Sequence, residues 1–437
     1  MTSTAQSPRA RFTARPTAWL DRWGSIVPLL AAEFIVWLGF GALLPVLPLY
    51  FEEQGIDLAT LGLVIAAWPA ARLVGEPAFG WLADRTARVP IMVVGLVATG
   101  IFTALPLVVT GPLAFIVLRA AAGLSTAAYD PAARGFLTDA TEPARRGEAF
   151  GLYGAAQMGG LLFGPAIGAF GAALVGGNGF VFVFCGVASL VAAAAIGLTV
   201  REAPLPSRTH PAPRRDHVEL PHEGRGRVGG DDGPTDGAPS SLWNRGLIAV
   251  LIINAGGYFA SGTYEVIWSI FLRSLGAGLD LIGLTFAMFG LPILLLSPTA
   301  GRLVDRRGVL AFIVLGSIAP FAAGIAYTLI SNPLLAVPLI LLEATGFAFL
   351  NPALYSVVAA SSPPGRSATA QGLFGAAGTV GFIVASLIAG FLAELDIRYP
   401  FYVFAAVMFA TFVVALAIGW KVFRRPPAAL IVPPATG

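Results

Sequence analysis

Charged residues are scarce in this chain. Asp, Glu, Lys and Arg make up 12% of its 437 residues, whereas 56% are hydrophobic. A soluble domain carries about 25% charged residues, so one soluble core could not bury this much apolar surface. Because a membrane helix needs roughly 20 apolar residues to cross about 30 Å of hydrocarbon, the length allows about twelve crossings. The composition therefore predicts an all-α membrane protein.

Lysine, cysteine and histidine are also rare. Lys421 is the single lysine, and the arginines cluster in a few loops without forming a continuous basic face, which argues against nucleic acid as a partner. Cys185 is the single cysteine, so no intramolecular disulfide can form. The three histidines, His210, His217 and His222, match no standard spacing of metal ligands. We expect no metal and no cofactor, and a proton carrier within the membrane must be a carboxylate or a water chain.

Twelve apolar spans follow one another along the chain. They cover residues 26–50, 61–82, 90–110, 112–138, 149–175, 179–200, 246–271, 281–300, 309–330, 333–359, 372–393 and 399–420. Arginines cluster in the loops after even-numbered spans, whereas the opposite loops carry only Arg273 and Arg398. The positive-inside rule therefore predicts a multi-pass protein of the cell (inner) membrane with both termini in the cytoplasm.

A break in composition divides the spans into two groups of six. Residues 201–243 are rich in Pro, Gly, Arg and Asp, which is typical of a disordered linker. We predict a cytosolic tail at 1–25, six-helix bundles at 26–200 and 244–423, and a second cytosolic tail at 424–437. The first span is too long for a cleaved signal peptide, although the arginines before it also fit an organellar transit peptide.

An internal repeat relates the two groups at a constant offset of 221 residues. The repeat pairs Gly80 with Gly301, Asp84 with Asp305, Arg85 with Arg306, Arg145 with Arg366 and Gly154 with Gly375. General hydrophobicity would not preserve one register through polar loop positions. We therefore predict two structurally equivalent bundles, an arrangement by which many transporters place a site near the membrane midplane between two moving bodies.

Several short motifs resemble those of the major facilitator superfamily, and within it the twelve-helix drug:proton antiporters. The family signature between helices 2 and 3 is similar to GWLADRTAR at 80–88 and to GRLVDRRGV at 301–309. The antiporter motif of helix 1 resembles LGFGALLPVLP at 38–48, the helix 4 signature resembles LRAAAG at 118–123, and the helix 5 motif resembles GLLFGPAIG at 160–168. The resemblance implies two pseudo-symmetric six-helix bundles, alternating access and export.

The loop signature predicts a latch between the two halves at the cytoplasmic side. Its residues are Gly80, Asp84, Arg85, Arg88, Asp139, Gly301, Asp305 and Arg306. The aspartates are expected to accept hydrogen bonds from the positive end of a neighbouring helix, and the arginines are expected to pair with carboxylates, Asp139 among them. The alternative is that these charges only set the topology.

The helix 5 motif places small residues on one helical face. Gly160, Gly164 and Gly168 recur every four residues, which lets another helix approach closely, and Pro165 is expected to bend the helix. Tight packing alone could explain the motif, and a direct role in coupling is the alternative.

Charged residues within the spans are the sharpest clue to function, because each ionised group at the bilayer centre costs roughly 3 kcal/mol or more. The candidates for proton coupling are Glu33, Glu343, Asp130 and Glu265, and their charge partners in the cavity are Arg72, Glu76 and Arg119. From their depth along consecutive helices, we expect Glu33 to pair with Arg72. The repeat pairs Arg119 with Ile340, one helical turn from Glu343, so we expect Arg119 to face Glu343. Glu265, near the outer end of span 7, is expected to be wetted. Permanent structural pairs are the alternative.

Aromatic residues on the charged helices predict walls that suit an apolar or cationic ligand. These residues are Trp37, Phe40, Tyr129, Tyr258, Tyr264, Trp268 and Tyr355. We predict a monomeric secondary transporter in the lipid bilayer that exports small amphiphilic or drug-like molecules in exchange for protons. The alternatives are a metabolite or sugar permease of the same superfamily, a membrane enzyme or sensor, and a scaffold. The enzyme is disfavoured because the sequence holds no nucleophile with a base and no phosphate-binding loop.

Overall fold

The computed structural model describes residues 23–142, 145–201, 241–363 and 366–424, which are helical and contain no strand. The helices are α1a (Val27–Leu43), α1b (Leu47–Glu53), α2 (Leu58–Ala83), α3 (Arg88–Ala104), α4 (Pro112–Asp139), α5 (Arg146–Val175), α6 (Phe180–Thr199), α7 (Arg245–Ser274), α8 (Leu279–Arg307), α9 (Leu310–Leu329), α10 (Ala336–Ser361), α11 (Ser367–Leu395) and α12 (Tyr399–Phe423). Eleven helices are long and apolar enough to span a membrane, and α1a with α1b makes a twelfth span. The predicted all-α membrane fold is confirmed.

Much of the predicted tails and linker lies outside the described residues. These segments are 1–22, 202–240 and 425–437, and all three histidines fall within the second of them. The boundaries of the tails and of the linker therefore stay predictions.

The described helices form two bundles of six. Helices α1–α6 pack against one another, and so do α7–α12. The bundles meet where α2 packs against α11 and where α5 packs against α8. Because α8 is the repeat equivalent of α2 and α11 is that of α5, these two contacts are themselves equivalent. The pseudo-symmetric arrangement predicted from the repeat is thus present.

The first span is broken, whereas its repeat equivalent is not. Segments α1a and α1b meet at 44°, and α7 runs without interruption. Pro45 lacks the N–H that a helix interior needs, and Pro48 lies in the first turn of α1b, where a missing N–H is tolerated. The equivalent positions in α7 are Val266 and Ser269, which keep the backbone donors. The different prolines explain the different shapes.

The two ends of the molecule are distinguished by their loops. The motif end carries the loops at 84–87 and 308–309 and the turn at 140–142. The far end carries the loops at 54–57, 176–179 and 275–278. The bundles contact each other differently at these two ends.

The bundles are joined at the far end by charged side chains. The Arg273 guanidinium lies 3.6 Å from the Glu52 carboxylate and 3.4 Å from that of Glu53, both in the first bundle. Glu394 accepts a hydrogen bond from the backbone N–H of Ala59 at 3.2 Å. These contacts bring the far ends of α7 and α11 against the first bundle.

Asp57 caps α2 beside this contact. Its carboxylate accepts hydrogen bonds from the backbone N–H of Thr60 at 2.8 Å and from the Thr60 hydroxyl at 2.7 Å. These hydrogen bonds hold the pKa of Asp57 below its usual range, because they favour the charged form. The cap is therefore ionised at neutral pH and satisfies a free amide at the start of α2.

Glycines bring the two bundles into backbone contact in the far half of the helices. A Cβ atom on Gly62 would overlap the carbonyl oxygen of Ser386, and one on Gly390 would overlap that of Leu58. A Cβ on Gly283 in α8 would lie 2.5 Å from the Ala169 side chain in α5. Both interfaces between the bundles are therefore tightly closed there.

The motif end is open. A Cβ on Gly151, Gly154, Gly301, Gly372 or Gly375 would have no other atom within 4 Å, although all five lie on helices that touch the other bundle further along. The described ion pairs between the bundles lie in the far half. The structure is therefore a conformation that is closed at the far end and open at the motif end.

Candidate functional site

Glu33 lies fully buried inside the first bundle, two turns into α1a. Its carboxylate accepts three hydrogen bonds: from the Trp37 indole N–H at 2.9 Å, from the Tyr129 hydroxyl of α4 at 2.5 Å and from the Gln157 amide of α5 at 2.6 Å. The buried hydroxyl of Tyr153 on α5 also approaches Glu33, although within the described ranges it forms no hydrogen bond of standard geometry. Glu33 thus joins three helices through polar donors.

Arg72 of α2 forms a separate charged cluster with two carboxylates. Its Nη2 atom lies 2.6 Å from Glu76 one turn along α2, and it also contacts the buried Asp130 of α4. Arg134 approaches Asp130 to 3.8 Å, but its side chain is 48% exposed. The Arg72 guanidinium also lies 4.7 Å from the centroid of the Trp68 ring. Asp130 therefore depends mainly on Arg72 for its counter-charge.

The predicted ion pair between Glu33 and Arg72 is wrong. Arg72 pairs with Glu76 and Asp130, and Glu33 points away from α2 toward α4 and α5. The two clusters still communicate, because Glu33 interacts electrostatically with Asp130. Tyr129 links them along α4, since it donates to Glu33 and directly precedes Asp130.

One buried ion pair connects the bundles. Arg119 of α4 lies 3.4 Å from Glu265 of α7, and the side chains are 8% and 12% exposed. The Nε atom of Arg119 is buried without a hydrogen-bond partner in the described part of the chain, and the guanidinium lies 6.0 Å from the Trp68 ring centroid. Arg119 is therefore a sparsely satisfied cation at the closed far half of the interface.

Glu343 is buried within the second bundle and does not face Arg119. The Tyr264 hydroxyl lies 2.6 Å from both of its carboxyl oxygens, and the Tyr327 hydroxyl donates to Oε2 at 2.9 Å. The predicted contact between Arg119 and Glu343 is therefore wrong. The prediction that Glu265 is wetted is also wrong, because Glu265 takes the place beside Arg119 that was assigned to Glu343.

We expect Glu265→Gln to open the far end, because a neutral glutamine at that position would leave Arg119 buried without a counter-charge. Breaking a buried pair costs about 3–5 kcal/mol, so the population of the far-end-open form should rise by roughly tenfold or more. Distances between spin labels at the exposed positions Gln54 and Ser274 would measure that population.

Arg273→Gln is the matched control for Glu265→Gln. It also removes a charge pair between the bundles, but the side chains of that pair are more than a third exposed, so less than about 1 kcal/mol is at stake. Equal label distances in both variants and in the unchanged protein would contradict the role assigned to Glu265.

The predicted aromatic walls are only partly present. Tyr258 of α7 and Tyr355 of α10 are 45% and 51% exposed, and Tyr258 lies in electrostatic range of Arg72 across the opening. Trp37 and Phe40 are half-buried on α1a, with ring centroids 5.5 Å apart.

Three predicted wall residues lie inside the bundles. Tyr129 is buried beneath Glu33, and Tyr264 is held against Glu343. Trp268 is buried and donates its indole N–H to the Thr285 hydroxyl at 2.9 Å. Tyr129 and Trp268 have no open face for a ligand, so their assignment to the cavity wall is corrected.

Sequence reasoning missed three residues that the structure places in these clusters. Trp68 stacks on Phe40 with centroids 5.1 Å apart and lies beneath the guanidinium of Arg72. Gln157 and Tyr327 each donate to a buried carboxylate. Gln157 carried a usable signal, because an amide within an apolar span needs a polar partner. Trp68 and Tyr327 carried none, because aromatic residues are common in membrane helices.

The loop signature forms an ion pair within the first bundle. Arg88 lies 2.7 Å from Asp139, as predicted, and 3.8 Å from Asp84, which is 75% exposed. Arg85 lies over the Trp81 ring, 4.0 Å from its centroid, and donates to the Trp81 carbonyl. The predicted latch between the halves is therefore not formed by Asp84 or Arg85 in this conformation.

The second copy of the signature lies at the motif end of the second bundle. Gly301 and Arg306 lie at the open motif end of α8, and Arg306 is exposed. The side chain of Asp305 lies outside the described part of the structure. In the first copy, Gly80 faces α4, and a Cβ on Gly80 would lie 3.7 Å from the Cβ of Pro131.

The helix 5 motif packs α5 directly against the backbone of α1a. A Cβ on Gly160 would lie 2.5 Å from the Phe34 carbonyl oxygen, one on Gly164 would lie 2.6 Å from that of Leu38, and one on Gly168 would overlap that of Ala42. The predicted small face is thus present. On the other side of α5, the carbonyl of Pro165 faces Gly283 of the second bundle.

Comparisons with known proteins agree with this architecture. "Multidrug resistance protein 2" of Bacillus subtilis (strain 168) is 24% identical over 422 residues, which cover 92% of this chain and 96% of the relative. The quinolone resistance protein NorA of Staphylococcus aureus (strain MRSA252) is 28% identical over 134 residues, covering 31% of this chain and 34% of NorA. The crystal structure of the nucleoside transporter NupG, a variant, has a TM-score of 0.70 at 14% identity and covers 90% of this chain and 99% of its own. The last likeness concerns the fold alone.

The family comparison covers nearly the whole chain. The family described as Major Facilitator Superfamily matches residues 29–268 and 250–437, which together contain both bundles. This match agrees with the twelve spans and the internal repeat. The chain therefore belongs to the Major Facilitator Superfamily and is a multi-pass membrane transporter of small molecules.

Proposed function

We propose that this transporter exports small amphiphilic molecules in exchange for protons, by alternating access between the two bundles. The observation that carries the proposal is the pair of buried carboxylates, Glu33 and Glu343. Each is held by hydroxyl, amide or indole donors and has no cation as a hydrogen-bond partner in the described ranges. A carboxylate buried without a counter-charge is costly in a low-dielectric interior, so each of these groups is suited to binding a proton.

The opening at the motif end suits an amphiphilic ligand. One wall carries charge on Arg72, Glu76 and Arg134, and the opposite wall presents the exposed rings of Tyr258 and Tyr355. A molecule with a polar group and an apolar body can contact both walls. Export agrees with the name of the multidrug resistance relative and with the helix 5 motif.

We place the motif end in the cytoplasm and treat the protein as a monomer of the cell membrane. The positive-inside rule supports this orientation, because Arg85, Arg88, Arg145, Arg306 and Arg366 lie in or beside loops at that end. The linker at 201–243 would then join the bundles on the cytoplasmic side, between tails at 1–25 and 424–437. In this orientation the opening faces inward, ready to receive a molecule for export.

Transport by everted membrane vesicles tests the proposal. With ethidium as the probe, acidifying the lumen is expected to drive its accumulation, and Glu33→Gln or Glu343→Gln should lower that rate at least tenfold. Glu148→Gln is the matched control, because Glu148 is an exposed carboxylate in the first turn of α5. Full proton-driven uptake by both carboxylate variants would refute the proposed sites.

The direction of flux separates export from the alternative of a permease. If a nutrient crosses the vesicle membrane only down its own gradient, or moves in the same direction as the protons, the exchange proposed here is wrong. A panel of sugars and nucleosides beside the cationic probe would reveal a permease.

A further inference from the structure

Gln157 occupies a special position in α5, between the buried carboxylate and the glycine face. Its amide donates to Glu33 Oε1 at 2.6 Å. In the turns that follow, Gly160, Gly164 and Gly168 rest on the backbone of α1a. The hydrogen bond and the three glycine contacts form one continuous line between α5 and α1a. We call this line of contacts the α1–α5 joint.

The hydrogen bonds at Glu33 match an ionised carboxylate. Oε1 faces the Trp37 indole and the Gln157 amide, which can only donate through these N–H groups, and Oε2 faces the Tyr129 hydroxyl. A proton on Oε1 would face two N–H donors and would find no acceptor. A proton therefore belongs on Oε2, where the Tyr129 hydroxyl can turn and accept it.

Binding a proton in this way weakens the contact with α5. Hydrogen bonds to an ionised acceptor are roughly twice as strong as those to a neutral one. Oε1 of the neutral acid is an ordinary carbonyl oxygen, so the Gln157 amide loses the charge-assisted part of its hydrogen bond. The glycine face alone then holds α5 against α1a.

Few other groups near Glu33 could pass a change in its charge to a neighbouring helix. The titratable or charged neighbours are Tyr129 and Asp130 on α4 and Tyr153 on α5. The neighbouring α6 has no charged residue, and its thiol, Cys185, contacts α1a two turns away at Gly39. Of the described residues on α5, Gln157 is the one that holds Glu33 by a hydrogen bond of good geometry.

The second bundle supplies an internal comparison. The repeat equivalent of Glu33 is Asn254, which is buried and donates to the backbone carbonyl of Phe374 in α11 at 2.7 Å. The equivalent of Gln157 is Gly378, which packs directly against Asn254. The matching joint is thus closed by an amide that cannot take up a proton. Tyr258 also packs against Gly378, but of these two equivalent joints only the first has a carboxyl group in the position of Glu33 and Asn254.

We propose that Gln157 is a positioning residue that passes the charge state of Glu33 to the α1–α5 joint, so that neutral Glu33 lets α5 move relative to α1a. The inference rests on the proposed function in one respect, namely that Glu33 exchanges a proton. It adds the helix that responds and the side chain through which it responds.

Two measurements on the full-length protein in lipid nanodiscs test the inference without any transported ligand. Spin labels at the exposed positions Ser25 and Glu148, in a Cys185→Ser background, report the distance between the motif ends of α1a and α5. The infrared carboxyl band that disappears in Glu33→Gln reports protonation of Glu33. We expect the label distance and the carboxyl band to change with the same pH midpoint.

The decisive variant is Gln157→Met, which keeps the side-chain length and removes the donor. Glu33 should still titrate in this variant, while the pH-dependent change in label distance falls at least threefold. In a Glu33→Gln background, adding Gln157→Met should change nothing further, because the two residues act as one unit. Asn254→Ala, at the equivalent joint, should leave the pH midpoint unchanged.

The two kinds of failure are distinguishable. If Gln157→Met keeps a full distance change at the original midpoint, or acts additively with Glu33→Gln, the inference is overturned and the proton site survives. If the Glu33 carboxyl band does not titrate at all, both the inference and the proposed role of Glu33 are overturned.

Discussion

Replacing Arg72 with Met is expected to destabilise the protein by about 3–5 kcal/mol, because it leaves the buried Asp130 without its main counter-charge. Asp130 is 5% exposed, so water cannot replace the guanidinium, whereas Glu76 is exposed enough to be solvated. The apparent melting temperature in detergent, followed by tryptophan fluorescence, should fall accordingly. Adding Asp130→Asn should recover much of the loss, because the stranded charge is then removed.

Arg134→Met is the control for that experiment. Arg134 also approaches Asp130, but at 3.8 Å and with a side chain that is half exposed, so its removal should cost less than about 1 kcal/mol. If Arg72→Met and Arg134→Met lowered the melting temperature equally, Asp130 would not depend on Arg72 in the way described. A failure of Asp130→Asn to recover stability would lead to the same conclusion.

Gly164→Ala is expected to destabilise the protein by about 1–3 kcal/mol, the usual cost of overpacking, since the new atom meets the backbone of α1a at two residues. The Cβ would lie 2.6 Å from the carbonyl oxygen of Leu38 and 2.7 Å from the Cα of Gly41. Backbone atoms cannot turn away as a flexible side chain can, so α5 must separate from α1a. Thermal unfolding monitored by size-exclusion chromatography would measure the loss.

Gly154→Ala provides a comparison on the same helix. Its Cβ would have no neighbour within 4 Å, and alanine favours the helix over glycine by roughly 1 kcal/mol, so this variant should be neutral or slightly stabilised. A loss of stability in Gly154→Ala as large as that in Gly164→Ala would show that the close packing against α1a is not the cause.

The sequence was sufficient to predict the fold because each part of the pattern repeats. The apolar spans determine the number of helices, and the 221-residue offset makes the bundles equivalent. Even the break in α1 and its absence in α7 follow from Pro45 and Pro48, which have no counterparts in the second half. These properties depend on length, hydrophobicity and backbone chemistry, all of which can be read locally.

The charge partners could not be predicted in the same way. Position along a helix gives the depth of a residue, and on that basis Glu33 and Arg72 were expected to meet. Partner choice also depends on the direction in which each side chain leaves its helix, and Glu33 points into its own bundle, toward Tyr129 and Gln157. Glu343 likewise points toward Tyr264 and Tyr327. That direction depends on how the helices are rotated, which hydropathy does not reveal.

The ion pairs of Arg273 and the ion pair of Arg119, which close the far end, should respond differently to ionic strength. Arg273 and its glutamates are exposed, and at about 0.15 M salt the screening length is roughly 8 Å, so added salt weakens their attraction. Arg119 and Glu265 are shielded by the helices around them and are screened far less. A rise in salinity therefore weakens the exposed contacts of Arg273, while the buried pair of Arg119 and Glu265 stays intact. The balance between the conformations open at one end or at the other should depend only weakly on salt.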